Sequence, residues 1–118
     1  MIKGIGLDVI ELERIESLYK RKKSFADRIL TGEEKEVFHM LDGKRQIEFL
    51  AGRFAGKEAL AKAFGCGIGE QFSFQDASIL ADERGKPHVR LHQGIEGTVH
   101  ISITHTQTIA AAQVIWEV

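Results

Sequence analysis

The chain has 118 residues, 43% hydrophobic and 28% charged, a size and balance that suit one domain, 1–118, with a substantial core. No apolar run reaches the roughly 18 residues of a membrane span, and a formal net charge of −1 argues against broad nucleic-acid binding. Cys66 is the only cysteine, so no intrachain disulfide can form, and MIKGIGLDVIEL lacks the apolar stretch of a secretion signal; both fit a cytoplasmic protein.

The first segment, IKGIGLDVI, is strand-like through its β-branched residues but diluted by two glycines. ELERIESLYKR then sets Leu12, Ile15, Leu18 and Tyr19 at helical spacing, an amphipathic helix. Its end merges into a basic cluster of Arg14, Lys20, Arg21, Lys22, Lys23 and Arg28, suited to an acidic partner. Thr31-Gly32-Glu33-Glu34 is a capping-box pattern opening a short helix to about Leu41, ended by Asp42-Gly43. A longer helix is expected from Lys44 to Phe64, with Gly65 just past its end. Strands follow at Ala77–Ala81 and His88–Leu91 around a GKP turn, then at Thr98–Thr104 and Ile109–Val118. Helices in the first half and antiparallel strands in the second indicate an α+β fold, with N-terminal helices packed on an antiparallel sheet.

Four features carry possible chemistry. On the long helix, Ile47, Leu50, Phe54 and Ala61 form an apolar stripe. Glu58 falls between it and a side made of Ala51, Ala55 and Lys62, where the alanines leave space for another element or subunit. Glu58 and Lys62 are either an i, i+4 stabilising pair or part of an anion site. The loop Gly65-Cys66-Gly67-Ile68-Gly69 either ends the helix and connects flexibly, or brings backbone N–H groups close to phosphate oxygens. Asp8, in an apolar strand, either caps the next helix or joins Glu58 as a ligand of a hard divalent cation such as Mg²⁺. His105 continues the inward row of Val99, Ile101 and Ile103, as a structural or a site residue. His39, His88, His92 and His100 show no zinc-like spacing with Cys66.

Taken together, GIGLDVIELERI (4–15), RFAGKEALAKAFGCGIG (53–69), GKP (85–87) and HISITHT (100–106) resemble the holo-acyl-carrier-protein synthases, the short trimeric 4′-phosphopantetheinyl transferases. The resemblance runs nearly end to end and implies the 4′-phosphopantetheinyl transferase-like fold. It implies Mg²⁺-dependent transfer of phosphopantetheine from coenzyme A to a serine of acidic apo-acyl carrier protein, releasing 3′,5′-ADP, in sites between subunits of a homotrimer. Asp8 and Glu58 match the family's metal ligands, and Lys62 matches a lysine near the reacting phosphate. Lys57, Gly65, Gly67, Gly69, Pro87, Ile103, Thr104 and His105 match positions around coenzyme A. Arg14 and Arg21 match carrier-protein contacts, while Ser24 stands where relatives often carry another basic residue.

The chemistry agrees with these residue types, since phosphoryl transfer needs positioning and charge stabilisation more than covalent help. Glu58, directly or through water, is the expected acceptor of the serine proton. His105 is expected to fix the nucleotide or its phosphates. Two other classes share the same residues: a metal-dependent phosphohydrolase using Asp8 and Glu58, and a non-catalytic module whose basic helix binds an acidic protein.

Overall fold

Alternation along β1 (Ile2–Glu11) decides how the molecule is assembled. The computed structural model describes residues 1–118, and in it Gly6 and Ile10 are buried while Ile5, Leu7 and Val9 remain exposed. β1 passes directly into α1 (Leu12–Arg21), followed by α2 (Ser24–Ile29), α3 (Gly32–Met40) and α4 (Gly43–Ala63). A 3-10 turn at Phe74–Asp76 leads to β2 (Ala77–Ala81), β3 (Pro87–Leu91), β4 (Thr98–His105) and β5 (Ile109–Glu117). The fold is α+β, as the patterning indicates.

The strands form a three-stranded antiparallel sheet in the order β1-β5-β4 and a separate β2-β3 hairpin. The nearly continuous apolar sequence of β5 belongs to its central strand, paired on both sides. Asp8 lies opposite Ala112, which is also opposite Ile103, and Ile10 lies opposite Ala110, which faces His105 across the other ladder. The first strand therefore closes against the last, a pairing that local pattern does not reveal.

Helix ends follow the expected signals. Thr31 caps α3 in a reciprocal box, its N–H donating to Glu34 Oε1 at 2.9 Å. α4 ends at Ala63, with Gly65 at φ +78 beyond the cap. Two short elements were not expected: α2, whose only fully buried residues are Ala26 and Ile29, and the 3-10 turn, held by Ser73 N–H donating to Asp76 Oδ2. Both are too short for periodicity to register.

α4 is the axis of the core. Leu50, Ala51, Ala55, Ala59, Leu60 and Ala61 are fully buried, joined by Ile15, Phe38, Ile79 and Val114. This corrects the expectation for the alanine side, which the chain's own core fills, leaving no room there for a second subunit. The glycines of β1 have a steric purpose. A Cβ on Gly4 would collide with the Ala63 carbonyl oxygen, and one on Gly6 with that of Ala59. With hydrogens in place of side chains, β1 lies directly on the α4 backbone.

Candidate active site

The close approach of β1 to α4 builds the site. Gly4 meets α4 at Ala63 and Gly6 meets it at Ala59, so the strand runs antiparallel to the helix. Asp8, two residues on and on the same face, is thereby carried beside the turn that bears Glu58 and Lys62. Lys62 Nζ lies 3.2 Å from Asp8 Oδ1 and donates to the Leu7 carbonyl at 2.8 Å. The Asp8 side chain is 17% exposed and that of Lys62 51%. Glu58 is half-buried. Its pKa is pushed up, first by burial and then by the charge of Asp8, with Lys62 pulling the other way.

Two neighbouring carboxylates with one lysine leave a surplus of negative charge. No third His, Cys, Asp or Glu stands with them, so a cation here would take most of its ligands from water and substrate. That donor set fits Mg²⁺, which prefers oxygen, uses one or two carboxylates and keeps waters and phosphates. It does not resemble a closed zinc cage.

The other expected residues fall into separate groups. His105, at the end of β4, is half-exposed with Nδ1 3.3 Å from Glu48 Oε2 on α4. Glu48 precedes Glu58 by ten residues, about 15 Å of helix at about 1.5 Å per residue. Within one chain His105 therefore does not join Asp8, Glu58 and Lys62. Exposed Thr104 and half-buried Ile103 belong to the same end of β4, Ile103 lying against Gly52 of α4. Pro87 opens β3 and pairs with Ala81.

Gly65, Gly67 and Gly69 follow α4 with open space where side chains would be. The expected free N–H groups are already engaged. Gly65 N–H donates to Lys62 O, Cys66 and Gly67 N–H to Ala61 O, and Gly69 N–H to Phe72 O. The loop offers backbone without side chains, and these four donors serve its own turns.

Lys57 requires a larger correction. It is fully buried, and its ammonium donates to Ile29 O at 2.8 Å, Glu34 Oε1 at 2.6 Å and Phe74 O at 2.9 Å. All three donors are used inside the protein, so no N–H remains for coenzyme A. Burial lowers its pKa, with the Glu34 carboxylate opposing that shift. The sequence pattern gives Glu34 only a capping role and does not single out Glu48. A lysine within an apolar stretch of α4 was the available signal for Glu34, because a buried charge requires a counter-ion.

On α1, Arg14 and Arg21 are exposed and seven residues apart, two turns of one face. Arg21, Lys22 and Arg28 surround a hollow of about 530 Å³ floored by Leu18 and Phe25. A second hollow, about 660 Å³, lies between α1 and the start of α4 and contains none of Asp8, Glu58 or Lys62.

Comparison with known proteins decides the family. The family model of the 4′-phosphopantetheinyl transferase superfamily matches residues 4–114. The chain belongs to that superfamily. A holo-[acyl-carrier-protein] synthase of Bacillus subtilis is 56% identical over 117 residues, covering 99% of this chain and 97% of the relative. One from Listeria monocytogenes is 52% identical over 118 residues and the full length of both. The Bacillus anthracis holo-(acyl-carrier-protein) synthase, solved in complex with CoA (3′,5′-ADP), superimposes with a TM-score of 0.93 at 49% identity, covering 99% of this chain and 97% of that one. The chain is accordingly an enzyme of the holo-acyl-carrier-protein synthase group, a 4′-phosphopantetheinyl transferase.

Proposed function

We propose that this phosphopantetheinyl transferase, one domain over 1–118, is Mg²⁺-dependent and releases adenosine 3′,5′-bisphosphate as it converts apo- to holo-acyl carrier protein. The observation that carries the reading is the Asp8–Glu58–Lys62 cluster, with its surplus negative charge and its raised Glu58 pKa. Asp8 and Glu58 would hold Mg²⁺, which when bound would supply positive charge to the phosphates of coenzyme A.

The remaining steps belong to the chain. Glu58, directly or through a water, takes the proton of the carrier serine. The serine oxygen bonds to the phosphorus that carries the pantetheine arm. The bond from that phosphorus to the bridging oxygen breaks, and its electron pair leaves with 3′,5′-ADP. Lys62, half-exposed and tethered only through Asp8 and the Leu7 carbonyl, swings to a phosphate oxygen and offsets the charge developing there. The neutral backbone of Gly65, Gly67 and Gly69 leaves room for coenzyme A beyond it.

A homotrimer with sites between subunits is supported by two observations. Ile5, Leu7 and Val9, 61%, 57% and 53% exposed, form an apolar row on the sheet face away from α4. His105 is held by Glu48, ten residues before Glu58 on α4, so within one chain it stands apart from the cluster, and a second copy would bring it to the nucleotide. Acidic acyl carrier protein docks on the basic face of α1 through Arg14 and Arg21. Charge reversal at Arg14 is expected to raise KM for the carrier about tenfold, near 1.4 kcal/mol, with KM for coenzyme A unchanged. An unaltered carrier KM removes that surface. A cytoplasmic location fits the single free thiol of Cys66.

Incubation with apo-acyl carrier protein, coenzyme A and Mg²⁺, followed by mass spectrometry of the carrier, tests the whole reading. The expected result is a gain of one phosphopantetheine that chelator abolishes. Unchanged carrier with degraded coenzyme A means hydrolysis, and unchanged carrier with intact coenzyme A means a binding module.

A further inference from the structure

The transfer site is divided between two elements. Asp8 belongs to β1, whereas Glu58 and Lys62 belong to α4, so its geometry depends on how α4 is rotated and registered against the strand. On the β1 side, half-exposed Lys62 links the helix to Asp8 and the Leu7 carbonyl. At Gly4 and Gly6 the contact is backbone on backbone, without side chains to interlock. A rotation of about 20° on a helix of radius about 2.3 Å moves each Cα by about 0.8 Å. Misplacement by about 1 Å is enough to reduce rates about a hundredfold.

A buried restraint with several hydrogen bonds is on the other side of the helix. Lys57 and Ala59 are two residues apart, about 200° around α4, so Lys57 points nearly opposite to the β1 contact. Its three hydrogen bonds reach the end of α2 at Ile29, α3 at Glu34 and the 3-10 turn at Phe74. Glu34 extends the set. Its Oε1 also accepts from Thr31 N–H and the Thr31 hydroxyl, while Oε2 accepts from Ile79 N–H of β2 at 2.6 Å. Both side chains are fully buried, and no buried side-chain polar atom in the molecule lacks a partner. Any turn or slide of α4 breaks several of these bonds together.

We propose that Glu34 and Lys57 are positioning residues for phosphopantetheine transfer, a buried pair that sets the rotation and register of α4 and so holds Glu58 at its working distance from Asp8. The inference rests on the site reading above and goes beyond it, because neither side chain touches substrate or metal. Register control is the best-attested use of a buried ion pair, whose net contribution to stability is small against an apolar replacement. The pair thus differs from a simple stabilising contact in what its removal should change.

The test uses the full chain. The double variant E34Q/K57M removes both charges, keeps the volumes and leaves no unpaired buried ion. E34D keeps both charges and shortens the carboxylate arm by one bond. Four quantities are measured: Tm, kcat, KM for acyl carrier protein, and the Mn²⁺ dissociation constant without substrates. For either folded variant, kcat is expected to fall roughly ten- to hundredfold and Mn²⁺ binding to weaken by a similar factor. KM for the carrier should stay within about twofold, since α1 is untouched.

A folded variant with wild-type kcat and Mn²⁺ affinity overturns the proposal, whatever its Tm. If the double variant does not fold, E34D decides by the same criteria. E58A serves as the reference for the site itself. A wild-type chain that binds Mn²⁺ no better than E58A overturns the site reading, and this inference with it.

Discussion

Lys57 and Glu58 are neighbours on one helix, each with a partner of opposite charge, and the fold treats them in opposite ways. Lys57 is sealed at zero exposure against Glu34, every donor used. Glu58 is half-buried beside a second carboxylate, with only Lys62 to offset both. One charge is balanced and locked, the other left in surplus at a surface. The comparison separates a structural ion pair from a site: complete satisfaction marks the first, and an unresolved electrostatic conflict marks the second.

The largest effect expected from breaking the contrast is on activity at Glu58. Glu58→Gln should lower transfer more than about a thousandfold, because ligand and base are lost together. Stability should move the other way. A carboxyl whose folded pKa is raised binds its proton more tightly in the native state. The native state is therefore penalised at pH values above both pKa values, where the group is ionised. At neutral pH, Glu58→Gln is expected to leave Tm equal or higher. A variant that keeps substantial transfer removes Glu58 from the mechanism.

At Lys57 the same experiment should read out as stability. Lys57→Met leaves the Glu34 carboxylate buried without its cation, a loss of about 3–5 kcal/mol. Urea unfolding measures it, and a loss below about 1 kcal/mol would mean that the pair is not sealed in solution. Next in size is Gly6→Ala. Its Cβ falls on the Ala59 carbonyl, so β1 must move off α4, for about 1–3 kcal/mol of overpacking. Transfer should fall too, since Asp8 moves with the strand. Full activity in that variant would contradict the backbone contact that builds the site.

What could be read in the sequence follows from the range of the interactions. The α3 capping box, the end of α4 before Gly65 and the inward row of Val99, Ile101 and Ile103 depend on residues a few positions apart, and each lies where the pattern puts it. His105, expected to continue that row, is instead exposed. The meeting of Asp8 with Lys62 spans 54 residues. It became legible only through resemblance to a family, because no local period encodes which strand lies on which helix. The reading of Lys57 failed for a related reason. The resemblance puts Lys57 near coenzyme A by its place in the motif, which says nothing about direction, and one step of about 100° on a helix carries a side chain from site to core. Strand patterning makes Gly4 and Gly6 weak points, whereas their partner is a helix surface that the sequence does not display.

The smallest effect tests whether both charges near Glu58 act on it. Asp8 raises its pKa and Lys62 lowers it, with burial the largest influence. Lys62→Met should therefore move the Glu58 titration to higher pH, and Asp8→Asn should move it to lower pH. Carboxyl carbon NMR on the metal-free chain reads both directly. Because the carboxylate must be ionised to bind a cation, the acid limb of Mn²⁺ binding by the Lys62→Met chain should also shift to higher pH. If neither substitution moves the Glu58 midpoint, the two charges are not neighbours of that carboxylate. If both move it the same way, burial has changed instead of charge. Opposite shifts from one strand residue and one helix residue require that β1 and α4 meet at a single electrostatic centre, as the glycine contacts demand.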